Sequence, residues 1–379
     1  MKLKLYKLIV PFASLVLGII VWSCSDDNSD GPGANNDDFN RQVMLTNWAD
    51  NIIVPSYVAF SADVDALKVA SDTFELSPDQ TNLNALRSAW EAAYISWQNV
   101  SMFNIGPAET TFFRSFINTY PTNTNSIDDN ITTGNYNLQD INLNDAQGFP
   151  ALDYLLFGIA PTDAEILEFY TVNSNATDYI GYLSDVVDRI NSITDQVVSE
   201  WQDNYRDTFV NNDGSSSNSA TNSLVNDWME YYERFFRNGK IGFPAGVFSG
   251  GNLEAEKVEA FYKRDLSKIL CLEALDALQT FFRGSAFNSA SNGDSLESYL
   301  DFLNTMKDGE DLSALINEQF NTSRTAIQNL DDNFYQQIIT NNNAMLTAFE
   351  TLQANVVLLK SDMFSALSIA VEFNSGDGD

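Results

Sequence analysis

The stretch Ser77-Pro-Asp-Gln-Thr-Asn-Leu-Asn-Ala-Leu-Arg-Ser-Ala-Trp-Glu-Ala-Ala-Tyr-Ile-Ser-Trp97 decides how the rest of the chain is read. Ser77 is placed to cap a helix, Pro78 fits a first turn, and Gln80 completes a capping box. Behind them Leu83, Leu86, Trp90, Tyr94 and Trp97 recur at intervals of three and four, which puts them on one helix face. A strand would alternate at every second residue instead. The stripe predicts a helix packed against a core.

The same period extends outward in both directions. Gln42 to Phe74 predicts one long helix, kinked at Pro55 because proline removes a backbone donor. Asn104 to Ile127 is less regular, broken at Gly106-Pro107 and Tyr120-Pro121. Ala146 to Gly158 reads as a short apolar helix, and Pro161-Thr162-x-x-Glu165 opens another through a capping box. Asp178 to Val210 is long and amphipathic. The polar run Asn211 to Ser219 predicts a loop and a boundary between segments 41–212 and 213–379. Thr221 to Asn238 is helical and dense in aromatic residues, Gly239 to Asn252 is a glycine-rich loop, and Glu254 to Phe282 is helical again. Asp294-x-x-Glu297 caps the next helix, and two or three more run to about Ala370. No strand pair is evident, although Ser368 to Phe373 could be extended. The fold class is therefore all-α, and long helices with short connections argue a pair of packed helical bundles. Gly148-Phe-Pro-Ala and Gly242-Phe-Pro-Ala echo one another on either side of the boundary, which chance and duplication both allow.

Lys2, Lys4 and Lys7 precede an apolar run from Leu8 to Trp22, and Ser23-Cys24 close it. A basic start, a short apolar stretch and a small residue before the cut describe a signal peptide over 1–23. The run is shorter than the ~20 residues a membrane-spanning helix needs. Val21-Trp22-Ser23-Cys24 resembles a lipobox, so Cys24 is expected to carry a lipid anchor. Residues 24–40 are rich in Asp, Asn, Ser and Gly, and predict a flexible acidic tether. Ser25-Asp26-Asp27 resembles the acidic signals that send some lipoproteins to the outer face of the outer membrane; a solvated linker explains it almost as well. The expected location is the bacterial cell envelope.

The chain carries 52 acidic and 20 basic residues. Loss of residues 1–23 leaves 17 basic residues against 52 acids, a net charge of −35. That argues against nucleic acid, whose phosphates demand a basic footprint, and allows cations or basic proteins as partners. With Cys24 lipidated, Cys271 is the remaining thiol, expected to pack as a small hydrophobe. There is no histidine. A Ser-His-Asp triad, a Cys-His dyad and a His-Glu-x-x-His zinc site are all excluded. A metal would need oxygen ligands, which suit hard cations.

Five segments, taken in order, resemble the imelysin-like proteins: Arg87-x-x-Trp90 with Trp97; Phe103-Asn-Ile-Gly-Pro-Ala-Glu109 with Ser115 to Pro121; Gly148-Phe-Pro-Ala-Leu-Asp-Tyr-Leu-Leu-Phe-Gly158; Lys240-Ile-Gly-Phe-Pro-Ala-Gly246 with Lys257 to Tyr262; and Leu358 to Met363 with the Asp-rich end. The resemblance implies two similar four-helix bundles and an envelope protein linked to iron acquisition, from a family also classed as metallopeptidases. Its signature, Gly-x-His-x-x-Glu, falls on Gly148, Pro150 and Asp153. Pro150 offers no ligand and no backbone donor where the histidine should stand, and Asp153 alone is one weak oxygen ligand.

Three functions remain in play. One is a binding lipoprotein for iron or haem, its site near Gly148, Pro150 and Asp153, facing Lys240 and Gly242 to Ala245, with Glu109, Arg114, Tyr154, Glu259 and Tyr262 as polar contributors. The second is a module that docks an outer-membrane or envelope protein of an uptake system and holds no ligand. The third, a peptidase, has no nucleophile–base pair; two acids could act together as in aspartic chemistry, but no local motif supports that.

Overall fold

A computed structural model describes residues 38–373. The expected signal peptide, Cys24 and the tail Asn374–Asp379 lie outside the described residues.

Eight principal helices follow in chain order: α1 (41–76), α2 (Gln80–Trp97), α3 (148–158), α4 (176–210), α5 (220–242), α6 (Ser267–Arg283), α7 (Leu312–Gln328) and α8 (334–366). In the first half α1 packs on α2 and α4, and α3 closes the group by packing on α2 and α4. In the second, α5 and α7 each pack on α6 and α8. Each half is a ring of four helices around an aromatic-rich core. The stripe Leu83, Leu86, Trp90, Tyr94 and Trp97 is buried throughout, as its spacing requires.

Several helix ends differ in detail from expectation. Asp79, not Ser77, caps α2, its carboxylate accepting from Asn82 N at 2.9 Å. Asp79 directly precedes the first helical residue, the position from which a side-chain oxygen reaches the third amide. Ser295, not Asp294, caps the helix Leu296–Phe302, in a box with Ser298. The box at Thr162 and Glu165 is present.

The expected kink at Pro55 takes the form of a wide π-helical turn over Trp48–Ile53. An α-helix would have Pro55 donate to the carbonyl of Asn51, and proline has no N–H to give. Phe287 N, from the second half, donates to that carbonyl at 2.7 Å. Asn47, one turn earlier, donates to the carbonyls of Gly284 and Asp294, both at 3.0 Å. The start of α1 thus fastens one half to the other, and Trp48 packs at a tilt against Phe281 of α6 with centroids 4.8 Å apart.

Three stretches were misjudged by periodicity. Gly239 to Gly242 is helical, the end of a π-helical run over Tyr231–Gly242. Glu254 to Leu266 is not part of a continuous helix: Ala260 and Arg264 have φ of 55° and 64°, left-handed values that end a helix, and α6 begins only at Ser267. Met306–Lys307 pairs antiparallel with Glu310–Asp311 across an Asp308-Gly309 turn, whereas 368–373 forms no strand. The echoed tetrapeptides are not equivalent: Gly148-Phe-Pro-Ala opens a helix with Phe149 fully buried, while Gly242-Phe-Pro-Ala leaves one with Phe243 exposed.

Candidate functional site

Asp153 is 2% exposed, near the middle of α3. Its two oxygens accept from Tyr262 N at 2.8 Å and Lys263 N at 2.9 Å. Burial pushes its carboxyl up to about 7, against the opposing pull of those two amides and of the Lys263 charge. Asp153 therefore holds the irregular segment 258–266 in place, and both oxygens are engaged in doing so. A metal at the expected position would compete with these two amides for the Asp153 oxygens. Gly148 has φ of 76°, and a Cβ there would lie 2.3 Å from the carbonyl oxygen of Ile117, so glycine is required by backbone approach. Pro150 occupies the first turn of α3, where the missing donor is harmless. Pro150, Asp153 and Tyr262 do meet, in a small cleft of about 160 Å³. Tyr154 lies beside them, its hydroxyl 3.3 Å from Asp128 and its ring 5.3 Å from that of Tyr262. Glu109 is exposed and lines neither this cleft nor the larger cavity described below, so it is removed from the expected site.

Lys240 and Glu259 come together as an ion pair in which each side chain is 2% exposed. Their surroundings satisfy both charges. Lys240 Nζ also donates to Gln98 Oε1 at 2.9 Å. The free oxygen of Glu259 accepts from Asn118 Nδ2 at 2.8 Å and Gln98 Nε2 at 3.3 Å, and Tyr94 donates to Asn118 Oδ1 at 2.7 Å. Burial works against the lysine's charge, but Glu259 outweighs it, and the ammonium is held above its usual range. Cys271 packs nearby; burial above all pushes its thiol up to about 12, Glu259 adding to the effect and Lys240 opposing it. It is the buried, unreactive thiol expected from the sequence.

A second buried pair stands close by. Arg114 Nη2 lies 3.0 Å from each oxygen of Asp227, and Arg114 Nε donates to Ser101 O at 2.8 Å. The guanidinium covers the rings of Tyr231 and Phe235. Burial raises the Asp227 carboxyl to about 6, with Arg114 acting the other way.

These groups border a half-open cavity of about 540 Å³. Its walls come from the end of α2, the turn around Asn118 to Pro121, and the π-helical run of α5, with Lys257 from the segment after it. Residues 231, 235, 239 and 243, and likewise 234 and 238, all line the cavity. Intervals of four keep these side chains on one face of the helix. Trp97, Tyr231, Phe235 and Phe243 supply apolar wall; Arg114, Arg234, Lys240 and Lys257 supply positive charge. Of the residues picked from sequence, Lys240 and Arg114 line it and Glu259 lies directly behind Lys240. Arg234, Asn238, Asn118 and Tyr120 were missed. One signal pointed to Arg234: it falls with Arg237 and Lys240 within seven residues of a chain with few cations.

Among the described residues no group of three or more His, Cys, Asp or Glu side chains is arranged to hold a metal ion. No described helix is long and apolar enough to cross a membrane.

Comparison with known proteins places this geometry. The sequence profile of the imelysin family (peptidase M75) matches residues 53–363, and the chain belongs to that family. It is 28% identical over 160 residues to iron-regulated protein A of Synechococcus elongatus; the match covers 41% of this chain and 43% of that relative, less than half of either. The fold is shared with the solved structure described as an iron-regulated protein A precursor from Parabacteroides distasonis (TM-score 0.69, 18% identity, 88% of this chain and 98% of that one). It is shared too with an imelysin-like protein from Psychrobacter arcticum (TM-score 0.66, 16% identity, 89% and 99%).

Proposed function

We propose that this chain is a lipid-anchored binding protein of the bacterial envelope that serves iron acquisition, taking iron as a chelate or as haem. The observation that carries the reading is the 540 Å³ cavity, built from the turn and the second-half motif on which the family resemblance rests. Its volume falls within the range of small-molecule sites, and its walls are mostly apolar with a few convergent polar groups. The name of the Synechococcus relative, iron-regulated protein A, supports the iron context. The lining offers no carboxylate for a bare ferric ion, which favours an iron complex over the free metal. Nothing in the site supports peptide hydrolysis: the motif carboxylate is committed to two backbone amides.

The test is made in the host. Deleting the chain should lower radio-iron accumulation from ferric citrate or haem in iron-poor medium, and full-length protein should restore it. Cys24→Ala should move the protein from the membrane fraction to the soluble envelope fraction. Unchanged iron accumulation in the deletion strain would contradict the role, and unchanged fractionation would contradict the anchor.

The alternative, a docking module, has one observation in its favour. Phe235, Phe243, Phe248 and Leu253 are 37–48% exposed, and Phe243 and Phe248 pack together 4.8 Å apart. An apolar patch of this kind suits contact with an uptake protein of the outer membrane.

A further inference from the structure

The charge of the cavity is opposite to that of the molecule. The whole chain has 52 acidic residues and 20 basic ones. Yet four cations and no Asp or Glu are among the residues that line the cavity. Each cation has a carboxylate partner: Arg114 with Asp227, Lys240 with Glu259, Arg234 with Glu230 and Lys257 with Glu254. All four carboxylates lie outside the lining. The pairs thus turn their positive ends inward, and each cation keeps donor capacity, since an ammonium has three N–H and a guanidinium five.

A second, independent observation points the same way. Asn238 lines the cavity and is 1% exposed. Its Oδ1 accepts from Arg237 Nη1 at 3.0 Å, which fixes which end of the amide is oxygen. Its Nδ2 has no hydrogen-bond partner. Buried polar groups are nearly always paired, and a donor left unpaired in a residue of the cavity wall has capacity for an acceptor carried by a ligand. Two N–H bonds from an amide, a guanidinium at the mouth and an ammonium suit a carboxylate. The rings of Trp97, Tyr231, Phe235 and Phe243 suit an organic body and would contribute nothing to a bare inorganic anion.

We infer that this cavity binds a small organic anion through its carboxylate groups, with Asn238, Arg234 and Lys257 as the recognising donors. The inference rests on the cavity being the ligand site and gives that ligand its chemical class. In this arrangement the anion is recognised whether or not it carries iron.

The test is calorimetry of the purified protein with metal-free citrate, beside inorganic phosphate and the dication cadaverine. Citrate should bind at one site, with phosphate at least tenfold weaker and cadaverine silent. Asn238→Asp keeps the size and the acceptor for Arg237 but sets a carboxylate against the ligand; it should weaken citrate at least tenfold. Arg234→Gln, at an exposed position that threatens the fold little, should weaken it by a similar factor. Arg206→Gln, away from the cavity, should leave it unchanged, and thermal unfolding of each variant confirms folding. No citrate binding by folded protein, or equal binding by Asn238→Asp and Arg234→Gln, overturns the inference. So does phosphate binding as tightly as citrate. Haem or ferric citrate that bind without regard to Asn238 and Arg234 would leave the iron role standing and this inference refuted. Citrate binding with the expected dependence, in a chain whose deletion leaves iron uptake unchanged, would do the reverse.

Discussion

At the scale of the residue, Asp153 is a buried carboxylate that fastens a neighbouring segment of the chain. Removing its carboxylate with Asp153→Ala orphans two amides in segment 258–266, so we expect a loss of about 2–4 kcal/mol, read from denaturant unfolding. Its pH behaviour has a definite sign. The carboxyl titrates near 7 when folded and near 3.8 ordinarily, so the native state holds a proton that the unfolded chain has released. This contribution is full below about pH 4 and is lost as pH rises through 7. Asp153→Asn should flatten the fall in melting temperature between pH 4 and 7; a slope equal to that of the wild type would show that Asp153 stays charged throughout. Lys240→Met leaves Glu259 buried without its cation and should destabilise by about 3–5 kcal/mol, and adding Glu259→Gln should recover part of the loss. If the double variant is as unstable as the sum of the singles, the two residues are not energetically coupled.

At the scale of the element, the helices were legible because their apolar spacing is strict: the α2 stripe, the long α4 and the Thr162 box all appear where the pattern puts them. The site was less legible. Tyr94 falls on the core stripe, and only the structure shows its hydroxyl serving the Glu259 network through Asn118. Arg234 and Asn238, one helical turn apart, share a face of α5, but spacing alone does not tell that this face borders a cavity. The break at Ala260 and Arg264 escaped notice because neither residue favours a left-handed backbone; the tertiary bonds from Asp153 impose the path there. The Asp308-Gly309 hairpin, by contrast, was written in the sequence as a turn signal and was passed over. Two glycines separate local geometry from propensity. Gly148→Ala meets the carbonyl of Ile117 and a left-handed backbone, and should destabilise by about 2 kcal/mol or more. Gly181→Ala, in open space on α4, should stabilise by about 0.5–1 kcal/mol. Chemical denaturation of the pair checks both signs.

At the scale of the molecule, two rings of helices are tied together by α1 and enclose a site whose charge opposes the surface. That opposition has a kinetic consequence. The acidic exterior repels an approaching anion, while charges inside the cavity are screened less than those outside. The association rate of citrate, measured by stopped-flow quenching of tryptophan fluorescence, should rise as salt is raised; a steady fall would mean that the cationic lining dominates the field at long range.

The measurement that bears most directly on this account is a calorimetric titration of ferric citrate and haem into wild-type protein, Arg234→Gln and Asp153→Asn. The account predicts saturable binding of one iron form to the wild type, equal binding by folded Asp153→Asn, and binding at least tenfold weaker in Arg234→Gln. Failure of every iron form to bind the wild type would contradict it, as would binding lost in Asp153→Asn but retained in Arg234→Gln, which would return the site to the motif position on α3.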